Sequence, residues 1–229
     1  MSLEFNAVGD YATRTGTANL GNAYNGSMCV WYRTGDTTAG REICAIIRGG
    51  GNVYARIASS TSLDFFADAS ARATFTIAQN TWYLICLVSS DPGLTMRVFN
   101  EAGSELSPAT GANTYNASYF AQVSRVRCGN DDAYGDSTLG QYRYLRYWNG
   151  VDLSQSEFAS EAAMTPSAGT PAARTSGLYM SWPLPDATTT TDWGSAGTRT
   201  PTINSGGTSA QEPSIGGGGS GNGLAWIRA

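Results

Sequence analysis

Short runs of alternating apolar and polar residues recur along the chain, separated by Gly, Asn, Asp and Ser. Alternation is typical of strands with one face in a core, and the separating residues favour turns. It is clearest where Leu94, Met96 and Val98 alternate with Thr95 and Arg97. The pattern predicts strands at 3–5, 11–14, 27–33, 41–48, 52–58, 62–66, 72–77, 82–88, 94–99, 122–128, 139–148 and 178–182.

Two runs, 43–47 and 84–88, are apolar on both faces and are predicted to be central strands covered on each side. One short helix is predicted at 154–164. Ser154 and Glu157 have the spacing of a capping box, and no long amphipathic helix competes with the strands. The chain is therefore expected to be an all-β antiparallel sandwich with one short helix.

The composition changes near residue 185. Residues 186–202 are rich in Thr, Ser, Gly and Asp, and the glycine-rich segment 216–223 precedes the apolar residues 224–229. We expect a domain at 1–185 and an extended C-terminal arm at 186–229. The arm's end fits a last strand of its own sheet, strand addition to a neighbouring subunit, or an engineered linker. The candidate partner-binding residues are Trp193, Leu224, Trp226 and Ile227.

The composition excludes several kinds of chemistry. The net charge is −4 and the sequence pI is about 4.8, so the basic surface that nucleic acids require is not expected. The chain has no His, which removes the commonest general base and the commonest transition-metal ligand. Catalysis by Ser-His-Asp or Cys-His groups and His-containing zinc sites are excluded. The sequence favours a protein that binds or builds over an enzyme.

Three of the four cysteines, Cys29, Cys44 and Cys86, lie inside apolar runs, and no CxxC spacing is present. This pattern favours buried free thiols over a disulfide pair, and folding in a reducing compartment. The N-terminal residues lack the features of a signal peptide, and no apolar run is long enough to span a membrane. We therefore expect cytoplasmic synthesis and no membrane partner.

The most acidic loop, 129–137, is a candidate ligand site because carboxylates and aromatic rings are common in sugar sites. Its candidate residues are Asn130, Asp131, Asp132, Tyr134 and Asp136. The alternative is a solvated turn. In another polar loop, Tyr115 and Tyr119 are candidates for sugar stacking or subunit contact, or they cap the core.

Four segments resemble laminin-G-like domains of the concanavalin A-like lectin/glucanase superfamily. They are LEFNAVGDY at 3–11, NTWYLICLV at 80–88 with the run at 94–100, GQYRYLRYWN at 140–149 with 152–157, and GLYMSWPLP at 177–185. The resemblance implies two curved antiparallel sheets in a jelly roll. The family's Asp-Glu pair, which often supports a structural calcium, falls on Arg143 and Tyr144. No cofactor is therefore expected, and calcium is doubtful. The family's catalytic Glu-x-Asp-x-Glu strand is absent.

Together these features predict a non-enzymatic, lectin-like virion structural protein that decorates a phage capsid or tail. Its expected location is the virion surface, and its expected partners are other subunits of the particle or copies of itself, with glycans as further ligands. The alternatives are a stand-alone carbohydrate-binding module or adhesin and, less favoured, a glycoside hydrolase.

Overall fold

The computed structural model describes residues 2–5, 11–15, 24–35, 38–48, 51–67, 70–90, 93–116, 122–129, 139–163, 174–184, 202–204 and 207–209. Within these residues the chain forms sixteen strands and one helix. They are β1 (Ser2–Phe5), β2 (Tyr11–Thr15), β3 (Gly26–Thr34), β4 (Glu42–Arg48), β5 (Gly51–Ser59), β6 (Ser62–Ala67), β7 (Ser70–Thr76), β8 (Trp82–Ser89), β9 (Gly93–Asn100), β10 (Thr110–Gly111), β11 (Thr114–Asn116), β12 (Val123–Gly129), β13 (Gly140–Asn149), α1 (Gln155–Ala163), β14 (Leu178–Trp182), β15 (Thr202–Asn204) and β16 (Gly207–Ser209).

The first sheet has the strand order β11-β9-β8-β3-β13-β1-β16, and β14 also pairs with β13. β1 and β14 lie end to end along one edge of β13, since Leu3 is opposite Tyr142 and Trp182 is opposite Leu145. At the join, the N–H of Leu3 donates to the carbonyl oxygen of Leu184 at 2.8 Å. Two segments that are distant in sequence therefore complete one edge of the longest strand.

The second sheet has the order β10-β7-β6-β5-β4-β12-β2-β15, and its strands β4 to β7 form an antiparallel meander. The two runs predicted to be central strands, β4 and β8, each lie between two other strands of their sheet. β4 lies between β5 and β12 in the second sheet, and β8 lies between β9 and β3 in the first. Their apolar residues are buried on both faces, except that Ile47 near the end of β4 is half-buried, which confirms the central position predicted from these runs.

The main core lies between the two sheets. In β9, Leu94, Met96 and Val98 are fully buried in it, while Thr95 and Arg97 are half-buried on the other face. The alternation predicted from sequence is therefore confirmed, and so is the all-β antiparallel sandwich with one short helix.

A second core lies on the outer face of the first sheet, under α1. Phe158 and Ala162 of the helix pack there against Trp31 and Trp148. The helix begins with the predicted capping box: the N–H of Ser154 donates to the carboxylate of Glu157 at 2.8 Å, and the N–H of Glu157 donates to Ser154 Oγ at 3.3 Å. The first of these hydrogen bonds lowers the pKa of Glu157.

The short strands β10, β11, β15 and β16 were not predicted from sequence. The last two belong to the predicted arm and pair with the chain's own sheets: Ile203 lies opposite Ala12, and Thr208 lies opposite Leu3. Residues 186–201 and 210–229 lie outside the described residues, so the predicted partner-binding residues Trp193, Leu224, Trp226 and Ile227 do as well.

Candidate functional site

A cavity of about 290 Å³ opens at one end of the first sheet, where β1 and β3 end and β13 begins. Its lining combines polar side chains with exposed backbone. The residues are Glu4, Phe5, Arg33, Thr34, Gly35, Asn80, Leu139, Gly140 and Gln141. We refer to it as the end cavity.

Three polar side chains of the end cavity form a row across neighbouring strands. Glu4 of β1 lies opposite Gln141 of β13, and Gln141 lies opposite Arg33 of β3. Their sequence neighbours Phe5 and Tyr32 are buried in the main core. Because side chains alternate along a strand, the row lies on the face turned away from that core.

Hydrogen bonds hold the guanidinium group of Arg33 in place. Its Nε donates to the carbonyl oxygen of Asn80 at 3.0 Å, and one terminal nitrogen lies 3.5 Å from Gln141 Oε1. Asn80 has a φ of 56°, a left-handed conformation that Asn tolerates better than most residues. Its N–H donates to the carbonyl oxygen of Thr34 at 3.0 Å. The turn before β8 therefore fixes this wall of the cavity.

Gly140 lets the backbones of β13 and β3 approach closely beside the cavity. A Cβ at this position would lie 2.7 Å from the carbonyl oxygen of Arg33 and 2.5 Å from the ring of Tyr32. The Tyr32 hydroxyl donates to the carbonyl oxygen of Leu139 at 3.0 Å, which holds the ring there. The absence of a side chain at Gly140 is therefore a requirement of this end of the sheet.

The row presents both kinds of hydrogen-bonding group to the cavity. Glu4 is half-buried, and its carboxylate makes no hydrogen bond with the described residues. A guanidinium has five N–H donors, and Arg33 uses one on Asn80 and one on Gln141. An acceptor and several donors thus remain for a polar ligand, and Glu4 is the one carboxylate among the described lining residues.

A second cavity of about 350 Å³ is lined by Arg97, Glu105, Leu106, Ser107, Pro108, Asn113 and Gln155. Its carboxylate and guanidinium already pair with each other, because Arg97 donates to Glu105 at 2.8 Å. Gln155 of α1 also donates to Glu105. These groups connect the helix to the β9 hairpin, so the carboxylate of this cavity already has two partners, whereas that of Glu4 has none among the described residues.

Of the ligand-site residues predicted from sequence, Tyr115 is the one that lies among the residues the structure describes. It lies in β11, an edge strand far from the end cavity in the sheet order, and is half-buried against the main core. The guanidinium of Arg72 covers its ring at 3.6 Å from the centroid. The predicted residues Asn130, Asp131, Asp132, Tyr134, Asp136 and Tyr119 lie outside the described residues.

Sequence reasoning did not select Glu4, Arg33, Asn80 or Gln141 as site residues. In the sequence these residues are marked only as polar residues in or beside a predicted strand, close to turn residues. Many residues of any β-sandwich have this feature, so it does not identify a site. The predicted acidic loop does have one link to the end cavity: Leu139, which lines it, follows directly after residues 130–138.

The described residues contain no group of three or more His, Cys, Asp or Glu side chains placed to hold a metal ion. The two positions where the family resemblance predicts an acidic pair carry Arg143 and Tyr144, with the guanidinium 4.4 Å from the ring centroid. In the same part of the chain, no helix has the length and apolar character needed to cross a membrane.

No family model matches the sequence, and neither does any curated protein. Among solved structures, a Bacteroides ovatus protein to which carbohydrate binding has been provisionally assigned aligns with a TM-score of 0.61 and 12% identity, over 90% of this chain and 58% of that one. Trypanosoma rangeli sialidase in complex with sialic acid aligns with a TM-score of 0.53 and 16% identity, over 70% of this chain and 27% of the sialidase. The chain thus spans little more than half of the first structure and about a quarter of the second.

At these identities the similarity concerns the fold alone. The fold is an antiparallel jelly-roll sandwich, which is the architecture that the resemblance of the four sequence segments implied. The Bacteroides ovatus protein, to which carbohydrate binding has been provisionally assigned, shares this architecture. The site and its ligand must therefore be argued from this chain's own residues.

Proposed function

We propose that this chain is a non-catalytic carbohydrate-binding domain and that the end cavity is its binding site. The observation that carries the proposal is the row of Glu4, Gln141 and Arg33, which places an anchored guanidinium and a carboxylate without a partner among the described residues in one cavity. Sugar hydroxyls both donate and accept hydrogen bonds, and this pair of groups supplies both partners.

The size of the cavity indicates the size of the ligand. At about 290 Å³ it lies at the lower end of the range for small-molecule pockets, roughly 300–1,000 Å³. The site therefore suits one or two sugar units at the end of a glycan better than the middle of a long polysaccharide. The fixed positions of Arg33 and Asn80 reduce the entropy lost on binding.

The non-catalytic part of the proposal rests on the groups that glycoside hydrolysis requires. That reaction commonly uses two carboxyl groups about 5–9.5 Å apart. Among the described lining residues, the end cavity has only Glu4, and no His exists in the chain to replace the second group. Release of reducing sugar by the purified chain, lost in Glu4→Gln, would overturn this part.

The binding site is tested by a glycan array followed by calorimetry on the best ligand. Glu4→Gln keeps the shape of the side chain but removes its charge. A charge-assisted hydrogen bond contributes about 1.5–3 kcal/mol, so we expect Kd to rise about tenfold or more. Arg33→Gln should weaken binding similarly, while thermal unfolding of both variants stays close to that of the original chain.

The matched control is Glu105→Gln, which removes a carboxylate from the second cavity. It should leave Kd unchanged. If Glu105→Gln weakens binding and Glu4→Gln does not, the site is wrongly placed. If neither matters, or if the array shows no ligand with or without calcium, the proposal fails.

The particle-subunit role and the virion-surface location stay separate predictions, motivated by the glycine-rich segment 216–223 and the apolar residues 224–229. The two structures compared above do not bear on them. Sedimentation velocity of the full chain and of a chain ended after Ile215 tests the subunit role. Equal, monomeric behaviour of both would contradict it.

A further inference from the structure

The four cysteines form two directly opposed cross-strand pairs, one in each sheet. Cys29 of β3 lies opposite Cys86 of β8, and Cys44 of β4 lies opposite Cys128 of β12. No cysteine is left over, because the chain has four. Both pairs join strands that are distant in sequence, so the sequence alone gave no sign of this arrangement.

The backbone hydrogen bonds show which type of ladder position the first pair occupies. Thr34 donates its N–H to Thr81 of the β8 side, whereas Asn25 accepts from Gly150 of the β13 side. Because residues alternate in the direction of their backbone groups, Cys29 turns its own groups towards β13. Cys29 and Cys86 are therefore a non-hydrogen-bonded pair.

A disulfide fits such a position. The Cα atoms of a non-hydrogen-bonded antiparallel pair lie about 4.5 Å apart, and those of a hydrogen-bonded pair about 5.5 Å. Disulfides usually span Cα separations of about 4.4–6.8 Å. Directly opposite side chains also project from the same face of the sheet. The register of Cys44 and Cys128 therefore meets the same condition, whichever ladder type that pair has.

The surroundings of both pairs are closed to solvent. Cys29 and Cys86 lie under α1 in the second core, and Cys44 and Cys128 lie in the main core. All four residues are at most 1% exposed. Burial raises the pKa of every one of these thiols, and in Cys86 and Cys128 the thiol opposite raises it further. The folded protein thus lacks the accessible thiolate that thiol–disulfide exchange requires.

We propose that Cys29–Cys86 and Cys44–Cys128 are two disulfide-forming sites that close while the chain folds in the presence of a disulfide oxidant. In each pair, one thiolate attacks oxidised glutathione and releases one glutathione as a thiol. The second cysteine then attacks the mixed disulfide and releases the other. Each pair gives up two hydrogen atoms in total, one S–S bond forms in the protein, and the S–S bond of the oxidant is broken.

In the structure all four cysteines are buried free thiols, as the sequence predicts, and the alternative is that they serve only as small apolar core residues. The two accounts differ in what happens on refolding. The full chain is denatured and reduced, then refolded either in a glutathione redox buffer or with a phosphine reductant. Remaining thiols are alkylated under denaturing conditions, and the intact mass and the non-reduced peptides are analysed.

We expect the chain refolded in the redox buffer to bind no alkylating reagent and to yield the peptide pairs 29–86 and 44–128. It should also unfold at a higher guanidinium concentration than the reduced chain, because a cross-link restricts the unfolded state. Four alkylated thiols after refolding, or any other pairing, would overturn the proposal.

Two controls test when the disulfides form and whether each pair forms without the other. Reduced protein that is already folded, when incubated with oxidised glutathione for the same time, should keep four thiols. Its rapid oxidation would contradict closure during folding. The double variants C29A/C86A and C44A/C128A should each retain the other disulfide. If a variant does not fold, the peptide pairs of the original chain still decide the question.

Discussion

Gly140 lies where β13 enters the first sheet, beside the end cavity, and the ring of Tyr32 occupies the space that a side chain would need. An extra methyl group in a tightly packed place forces neighbours or backbone to move, which commonly costs about 1–3 kcal/mol. We expect Gly140→Ala to lower the free energy of unfolding by this amount in denaturant titrations.

Gly35 provides a matched control on the same cavity wall. A Cβ there would meet the Cα of Gly140 at 3.9 Å, an ordinary contact. Gly35→Ala should therefore change the unfolding midpoint little. Equal effects of the two substitutions would show that the close approach at Gly140 does not limit this end of the sheet.

The residues of the end cavity also show where sequence reasoning stops. Arg33 and Gln141 lie in strands that were predicted, and so does Glu4. Their meeting depends on β13 lying between β1 and β3, which is a long-range arrangement. Local alternation tells which face a residue takes, but not which strands are neighbours. The loop chosen from sequence was selected by its acidity, and no spatial information entered that choice.

At the scale of elements, α1 is attached to the first sheet by apolar packing and by a buried ion pair between Arg146 of β13 and Glu161 of the helix. Both side chains are at most 5% exposed. Removing one partner of a buried pair leaves the other charge without compensation, at a cost of about 3–5 kcal/mol. We expect Glu161→Ala to lower the free energy of unfolding by this amount.

The double variant R146L/E161L serves as the comparison. Apolar residues of similar volume often replace a buried pair without loss, so it should be more stable than Glu161→Ala. Urea unfolding of the three proteins measures this order. A double variant less stable than the single one would mean that the pair contributes more than its burial costs.

Elements were predicted well where a core enforces alternation. Both β4 and β9 appear with nearly the expected bounds, because each must bury one or both faces. The short strands β10 and β11 and the strands of the arm consist of Thr, Gly, Asn, Ser and single larger residues. Two or three residues give too little alternation to detect, and their pairing comes from the edge of a sheet that already exists.

At the scale of the whole molecule, β15 and β16 connect the two sheets. β15 pairs with β2 at the edge of the second sheet, and β16 pairs with β1 at the edge of the first. Since residues 202–204 and 207–209 pair with the two sheets, they protect two strand edges that would otherwise have unpaired N–H and C=O groups among the described residues. The described part of the arm thus belongs to the sandwich.

A chain ended after residue 201 should therefore be less stable and more prone to aggregate. We expect Tm to fall by about 5–10 °C, which corresponds to a few kcal/mol in a domain of this size. Scanning calorimetry with light scattering measures both effects. A chain ended after Ile215 keeps both strands and is the control. If both truncated chains unfold at the same temperature, the two short strands do not stabilise the sandwich.

The shared edge of β13 has a consequence for how the protein is made. Ribosomes release the N-terminal residues first, so Leu3 is available long before Trp182. Until both have emerged, half of that edge has no partner and is exposed to other nascent chains. The first sheet is therefore completed late in synthesis. A translational pause before Trp182 has emerged would prolong the period in which the open edge of β13 can aggregate with other chains.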